Sequence, residues 1–359
     1  MLSGTANSHR PARWLFFAAL VYAALLPLLS ACGGGAQDLR LEGRTMGTSW
    51  HITVPGGAAD EGALQAAIDA ELEAINDSMS TWLEDSEISR FNRLPAGEGM
   101  AVSPRFAEVL EAALAIGAAS AGAYDVTVAP LVDLWGFGAD GPRDGIPDPV
   151  DLAQTRARVG QEKLDWYPGS RRLAKRAALA VNFSSIAKGY AVDRVAAILE
   201  AEGFADYLVE IGGEMRVAGL SPRGDAWRVA VERPEAGTRA VALGIELSDR
   251  AIATSGDYRN FFTVDGERYS HLIDPRNGAP VTHDVVSVTV VDESCMVADG
   301  WATALAVLGR EAALEVAAEA GLAVYLLARE GEGFEEYSSA AFAPYLAADG
   351  EGADGQAQG

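Results

Sequence analysis

Cysteine, histidine and positive charge are all scarce in this chain, and each scarcity removes a class of function. Of 359 residues two are cysteine and four are histidine. Cys32 belongs to an N-terminal signal, described below, which leaves Cys295 with no partner for an intramolecular disulfide. A lone thiol followed by Met296 and Val297 reads as a small buried hydrophobe and not as a nucleophile. One free cysteine with His51, His271 and His283 makes a poor zinc ligand set. Lys and Arg number 28 against 51 Asp and Glu, a formal net charge of −23. That balance excludes nucleic-acid binding through a broad basic face, and electrostatic adhesion to anionic lipid. Familiar catalytic signatures are missing too: there is no Gly-x-Ser-x-Gly elbow, no Walker loop and no His-Glu-x-x-His.

The one long apolar run lies at the N-terminus. His9, Arg10 and Arg13 precede an apolar stretch from Trp14 to Leu29, and Leu29-Ser30-Ala31 then lead into Cys32. This is the pattern of a secretory signal with a lipoprotein cleavage site, in which Cys32 becomes the lipidated N-terminus. The run is short for the ~20 residues of a spanning helix, and Pro27 suits a processed signal better than a stable span. Residues 1–32 are therefore expected to be a signal peptide. Residues 33–40, opening on three glycines, are expected to be a flexible linker. Residues 347–359, rich in Gly, Ala and Asp, are expected to form a disordered tail.

Half-apolar composition with an ordinary charged fraction indicates a globular core over residues 41–346. Leu64, Ile68, Leu72 and Ile75 recur at helical spacing. Ser103-Pro104 and Asp148-Pro149 each read as an N-cap followed by proline at the first helical position. Leu179–Phe183 reads as a short strand feeding a helix with the stripe Ala191, Val195, Ile198 and Leu199. Strands follow at Tyr207–Ile211, Met215–Ala218, Trp227–Val231, Val241–Leu247, Ala251–Thr254 and Val285–Val291. Two helices, about Met296–Leu308 and Glu311–Ala320, and a strand at Ala323–Leu327 complete the pattern. Strands in one run bracketed by helices predict an α+β fold: a mixed, largely antiparallel sheet flanked by helices in a single composite domain.

Three polar clusters could carry chemistry. Asn182 to Tyr190 joins an apolar segment to a helix, and its backbone N–H groups with Lys188 one turn in suit a phosphate. Asp299 and Thr303, four residues apart on one helix face, make a hard-oxygen pair suited to Mg²⁺, although by spacing alone an Asp–Thr hydrogen bond in the first turns of a helix is the favoured reading. In Ser270-His271-Leu272-Ile273-Asp274-Pro275-Arg276-Asn277-Gly278, His271 is a possible base, and Asp274-Pro275 is the usual start of a turn.

Taken in order, the clusters resemble one family. Met46-Gly47-Thr48, Ser80-Thr81-Trp82, Phe91-Asn92, the Gly122 to Val132 run with Leu134-Trp135-Gly136-Phe137-Gly138, and Ser184 to Tyr190 are similar to segments of the FAD:protein FMN transferase (ApbE) family. So are Ile211-Gly212-Gly213-Glu214, Thr254 to Arg259, Ser270 to Pro280 and Ala298 to Leu305, so that the resemblance runs from about Leu41 to Leu346.

The resemblance implies an ApbE-like, T-fold-like architecture and an enzyme that moves the FMN half of FAD onto a Thr or Ser hydroxyl of a target protein, with Mg²⁺. It implies FAD contacts at Met46, Trp82, Ala123, Tyr124, Asp125, Asn182, Lys188 and Ile273, with Trp82 stacking on a ring. It places Mg²⁺ at Ser185, through its carbonyl, with Asp299 and Thr303. Two departures, Asn182 and Ala302 where some relatives carry acidic residues, imply a leaner metal shell. His271 is the candidate base, and Asp274 either orients it or builds a turn. The implied acceptors are subunits of sodium-translocating NADH:quinone reductase or Rnf-type complexes. The implied location is the periplasmic side of the bacterial inner membrane, held by lipid. The alternatives are an FAD-binding lipoprotein without transferase activity and an FAD pyrophosphatase releasing FMN and AMP.

Overall fold

The structure is a computed structural model and describes residues 37–346 apart from 58–59, 139–140, 142–144, 234–240, 257–260, 265 and 332. The signal, Cys32 and the tail 347–359 lie outside the described residues, as do Asp257, Tyr258 and Arg259 of one family-like segment.

Eight strands form the main sheet: β1 (Leu39–Thr45), β2 (Thr48–Val54), β3 (Tyr207–Ile211), β4 (Glu214–Ala218), β5 (Arg250–Gly256), β6 (Val285–Asp292), β7 (Ala323–Glu330) and β8 (Gly333–Ser338). Each pairs antiparallel with the next, so spatial order follows chain order. The mixed sheet expected from sequence is thus fully antiparallel. β1 starts at Leu39, paired with Val54, so the last residues of the expected 33–40 linker already belong to the fold. The two-residue turn between β1 and β2 holds Met46 at φ 49 and Gly47 at φ 76, the left-handed pair that a tight hairpin requires.

Among the described residues, eight helices complete the frame: α1 (Glu61–Met79), α2 (Glu87–Asn92), α3 (Pro104–Ala119), α4 (Ala129–Leu134), α5 (Pro149–Arg156), α6 (Ala187–Ala201), α7 (Cys295–Leu308) and α8 (Arg310–Ala320). The Ser103 cap is real, with its Oγ accepting from Phe106 N at 3.3 Å. A large core joins one sheet face to helices through Ile68, Ile75, Phe106, Val195, Val288, Val290 and Leu305. The opposite face is covered by the hairpin Trp227–Glu232/Val241–Leu247 and by Phe342, which pack on Val217, Ile252, Val286 and Leu327. That two-sided cover explains why β6 is buried from Val285 to Val291, Ser287 and Thr289 included, and does not alternate with exposed residues.

α6 and α7 approach so closely that a Cβ on Gly189 would lie 2.2 Å from the Cys295 carbonyl oxygen. Asp193 of α6 caps its neighbour, accepting from Cys295 N and Met296 N at 3.0 Å each and from Ser294 Oγ at 2.7 Å. The position of α7, and hence of Asp299, is locked to α6 by that carboxylate.

Leu179–Phe183 is not a strand, contrary to the sequence reading. Its backbone groups are consumed by side chains and by a distant loop. Asn92 Oδ1 accepts from Val181 N and its Nδ2 donates to Val181 O, both at 2.8 Å. Lys175 Nζ donates to Leu179 O at 2.9 Å, and Asn182 N donates to Val126 O at 2.8 Å. With those groups taken, no ladder can form, and the segment is held as an extended strut that delivers Asn182 and Ser185 to α6.

A third, smaller cluster joins Leu131, Trp135 and Ile273. Its rings form a series in which Trp135 stacks on Tyr269, Tyr269 on Phe262 and Phe262 on Phe137, at centroid separations of 5.7, 5.3 and 5.3 Å. This aromatic pile fixes the hairpin Phe261–Val264/Glu267–Ser270, from whose end His271 emerges.

Candidate active site

The inner ends of β2 to β5 and the first turns of α6 and α7 converge on a cavity of about 860 Å³. It is of a size suited to a dinucleotide-class ligand. Thr48, Gly213, Ser255, Lys188, Asp299 and His271, from six separate segments, all line it.

Lys188 and Asp299 supply two of the charged groups on its wall. Asp299 is buried, and its Oδ2 accepts from Gly189 N at 3.0 Å, which places its carboxylate beside the first turn of α6. Burial raises the carboxyl above its ordinary range, against the pull of Lys188. Lys188 Nζ is paired with Glu214 Oε1. Burial works to lower the ammonium, but Asp299 and Glu214 outweigh it and raise the pKa, so the amine stays charged. Burial likewise lifts the Glu214 carboxyl to about 7, with Asp299 adding repulsion.

The oxygen groups expected to hold a cation do face one space. Thr303 lies one turn beyond Asp299 on α7, its Oγ1 3.0 Å from Ser255 Oγ. Ser185, before α6, donates from Oγ to the buried Tyr124 hydroxyl at 3.0 Å. Burial raises the Tyr124 hydroxyl far above its usual pKa, so it remains a neutral phenol. Among the described residues no group of three or more His, Cys, Asp or Glu is placed to hold a metal ion. The donor set of one buried carboxylate, hydroxyls and carbonyls fits a hard cation that completes its shell with water or phosphate oxygen. It does not fit a self-sufficient metal cage.

The remaining expected site residues divide. Ala123, Tyr124, Asp125, Asn182 and Ile273 line the cavity. The Asp125 carboxylate, however, is occupied by its own loop: Oδ1 accepts from Thr127 N and Oγ1 at 2.7 Å each, and Oδ2 from Gln161 N at 2.9 Å. Asn182 Oδ1 accepts from Ser184 N at 2.8 Å and shapes the turn into α6. Met46 lies at the β1–β2 turn and Trp82 after α1, and neither lines the cavity. Trp82 is 78% exposed and stands outside the cavity wall.

His271 lines the cavity, with the Phe137 ring edge-on at a centroid separation of 6.3 Å. Asp274 does not line it. Arg276 forks onto both its oxygens at 2.8 Å each, and Arg276 N adds a bond to Oδ1 at 2.9 Å. Both carboxylate oxygens are thus engaged within the turn that Asp274 opens.

Sequence reasoning assigned no role to Glu214 or to the pair His51–Glu210, although all three line the cavity. His51 Nδ1 is 2.8 Å from Glu210 Oε2, across the register pair that joins β2 to β3. The acidic residue after two glycines at a strand junction was the available signal for Glu214.

Comparison with known proteins agrees with this geometry. The sequence model of the ApbE family matches residues 46–326. The FAD:protein FMN transferase of Vibrio cholerae serotype O1 is 46% identical over 91% of this chain and 98% of its own length. The solved structure titled flavin transferase ApbE from Vibrio cholerae superposes with a TM-score of 0.80 at 46% identity, covering 87% of this chain and 100% of that one. The apo flavinyl transferase ApbE of Pseudomonas stutzeri superposes with a TM-score of 0.80 at 39% identity, over 87% of this chain and 98% of that one. The chain belongs to the ApbE family.

Proposed function

We propose that this protein is an FAD:protein FMN transferase. The observation that carries the reading is the convergence in one cavity of a charged, half-buried lysine, a hard-oxygen set and a histidine. Lys188 supplies fixed positive charge for a pyrophosphate, which a chain of net charge −23 must otherwise repel. Asp299, Thr303 and Ser185 would hold Mg²⁺, which when bound neutralises charge on the pyrophosphate and on the departing AMP. His271 takes the proton of the acceptor Thr or Ser hydroxyl as its oxygen bonds to the phosphorus nearer the flavin. The P–O bond to AMP breaks, and the electron pair leaves with AMP. The closed aromatic pile behind His271 holds it in register, so most of the acceleration comes from positioning and charge neutralisation.

The test is direct. Residues 33–359 incubated with FAD, Mg²⁺ and an acceptor domain should yield a fluorescent target heavier by one FMN, with AMP released. FAD hydrolysis at the same rate with and without target, the target staying unmodified, would replace this reading with a pyrophosphatase.

The acceptors proposed are flavoprotein subunits of the sodium-translocating NADH:quinone reductase or Rnf type. The location proposed is the periplasmic side of the inner membrane, anchored through lipid on Cys32. Among the described residues no helix is long and apolar enough to cross a membrane. Cys32→Ser should abolish incorporation of an alkynyl fatty acid while leaving transfer by the purified protein unchanged, because Cys32 precedes the fold at Leu39 by a glycine-rich spacer. Label retained in that variant would sink the lipid-anchor assignment.

A further inference from the structure

Glu214 carries an oxygen that the reaction as described leaves idle. The residue opens β4, is 3% exposed and lines the cavity. Its Oε1 takes the Lys188 ammonium, whereas its Oε2 is buried with no hydrogen-bond partner. A bare, buried carboxylate oxygen is costly, and folds retain one where a ligand completes it.

The turn before it is built to hold that oxygen in place. Gly212 and Gly213 have φ values of 62° and 104°, a left-handed pair. Gly213 N donates to Glu210 Oε1 at 2.6 Å, and the other Glu210 oxygen is held by His51. The backbone leading into Glu214 is therefore tied down from β2 and β3, and its carboxylate is tied down by Lys188.

We propose that Glu214 is a specificity-determining residue whose Oε2 accepts a hydrogen bond from a sugar hydroxyl next to a phosphate of the bound dinucleotide. This rests on the reading that the cavity holds FAD. The choice of a hydroxyl follows from position. Lys188 ties Glu214 to the wall where Asp299 and Thr303 favour phosphate, and each phosphate of FAD adjoins a hydroxyl-bearing sugar carbon chain. The ring N–H donors of flavin and adenine lie a whole sugar away. Ribityl and ribose hydroxyls share this chemistry.

Glu214→Gln isolates the contact. The new carbonyl oxygen must face the Lys188 ammonium, so the NH₂ group replaces Oε2 and a donor stands where an acceptor stood. Riboflavin, adenosine and lumiflavin, none with a phosphate, are titrated against wild-type and variant protein. Riboflavin weakened by about tenfold, with lumiflavin unchanged, supports a ribityl contact. Adenosine weakened alone supports a ribose contact. No weakening of either, or lumiflavin weakened as much as riboflavin, overturns the proposal. Should Glu214→Gln melt far below wild type, Glu214→Asp keeps the charge beside Lys188 but withdraws the oxygen by one methylene, and the same three ligands are titrated against it with the same outcomes deciding. Wild-type protein that binds FAD while its variants bind every ligand unchanged defeats this inference alone. Wild-type protein that binds none of them defeats the flavin reading, and this inference with it.

Discussion

Asp299→Ala should leave a folded protein whose FMN transfer is slower by roughly a hundredfold or more, a barrier increase of about 2.7 kcal/mol. The substitution removes the one carboxylate among the three residues proposed to hold Mg²⁺, and Thr303 and Ser185 are left as neutral oxygens. Those oxygens still offer a weak site, so part of the rate should return at high Mg²⁺. Asp299 also anchors α6 to α7 by accepting from Gly189 N at 3.0 Å, and losing that acceptor strands a buried amide at about 1–3 kcal/mol. Asp299→Asn separates the two effects, because its amide oxygen still accepts from Gly189 while the charge is gone. Thermal melting should therefore recover in the asparagine variant, and transfer should not. Transfer at the wild-type rate in Asp299→Asn, independent of Mg²⁺, would reduce Asp299 to a helix anchor.

What the sequence made legible was whatever local periodicity or local chemistry determines. The stripe Leu64, Ile68, Leu72 and Ile75 appears as the buried face of α1, and Ser103-Pro104 caps α3 as expected. Most inner strands of the main sheet were readable because each has its own apolar pattern, whereas the two edge strands β1 and β8 were not, and the order of the family-like segments carried the site. What was not legible depends on which side chains claim a given polar group, and periodicity does not show that. Leu179–Phe183 has the residues of a strand, but Asn92, 89 residues from Val181, takes its ladder groups. Asp274, which by sequence either orients His271 or builds a turn, has both carboxylate oxygens taken by Arg276. Glu214 escaped because a glutamate opening a strand after two glycines is a weak signal, and burial and the unpaired Oε2 are what mark it.

His271→Ala should lower transfer by about 10²–10⁴-fold, the usual contribution of a positioned general base. FAD binding should survive, because the proposed phosphate and metal contacts lie on α6 and α7 and not on the hairpin that leads to His271. The fold around it should survive as well, since the pile of Trp135, Tyr269, Phe262 and Phe137 packs without the imidazole. No concentration of Mg²⁺ should restore the rate, which distinguishes this variant from Asp299→Ala. A missing base also has its own pH signature. The acceptor hydroxyl must lose its proton to solvent, so residual transfer should climb with pH as hydroxide takes over the role. Loss through misplacement of the acceptor would instead lower the rate by the same factor at every pH. Transfer rates of both variants across Mg²⁺ concentration and pH therefore give a two-way separation. Wild-type rates in His271→Ala would place the base elsewhere on the cavity wall, and Asp274, held by Arg276 within its own turn, would not be that base.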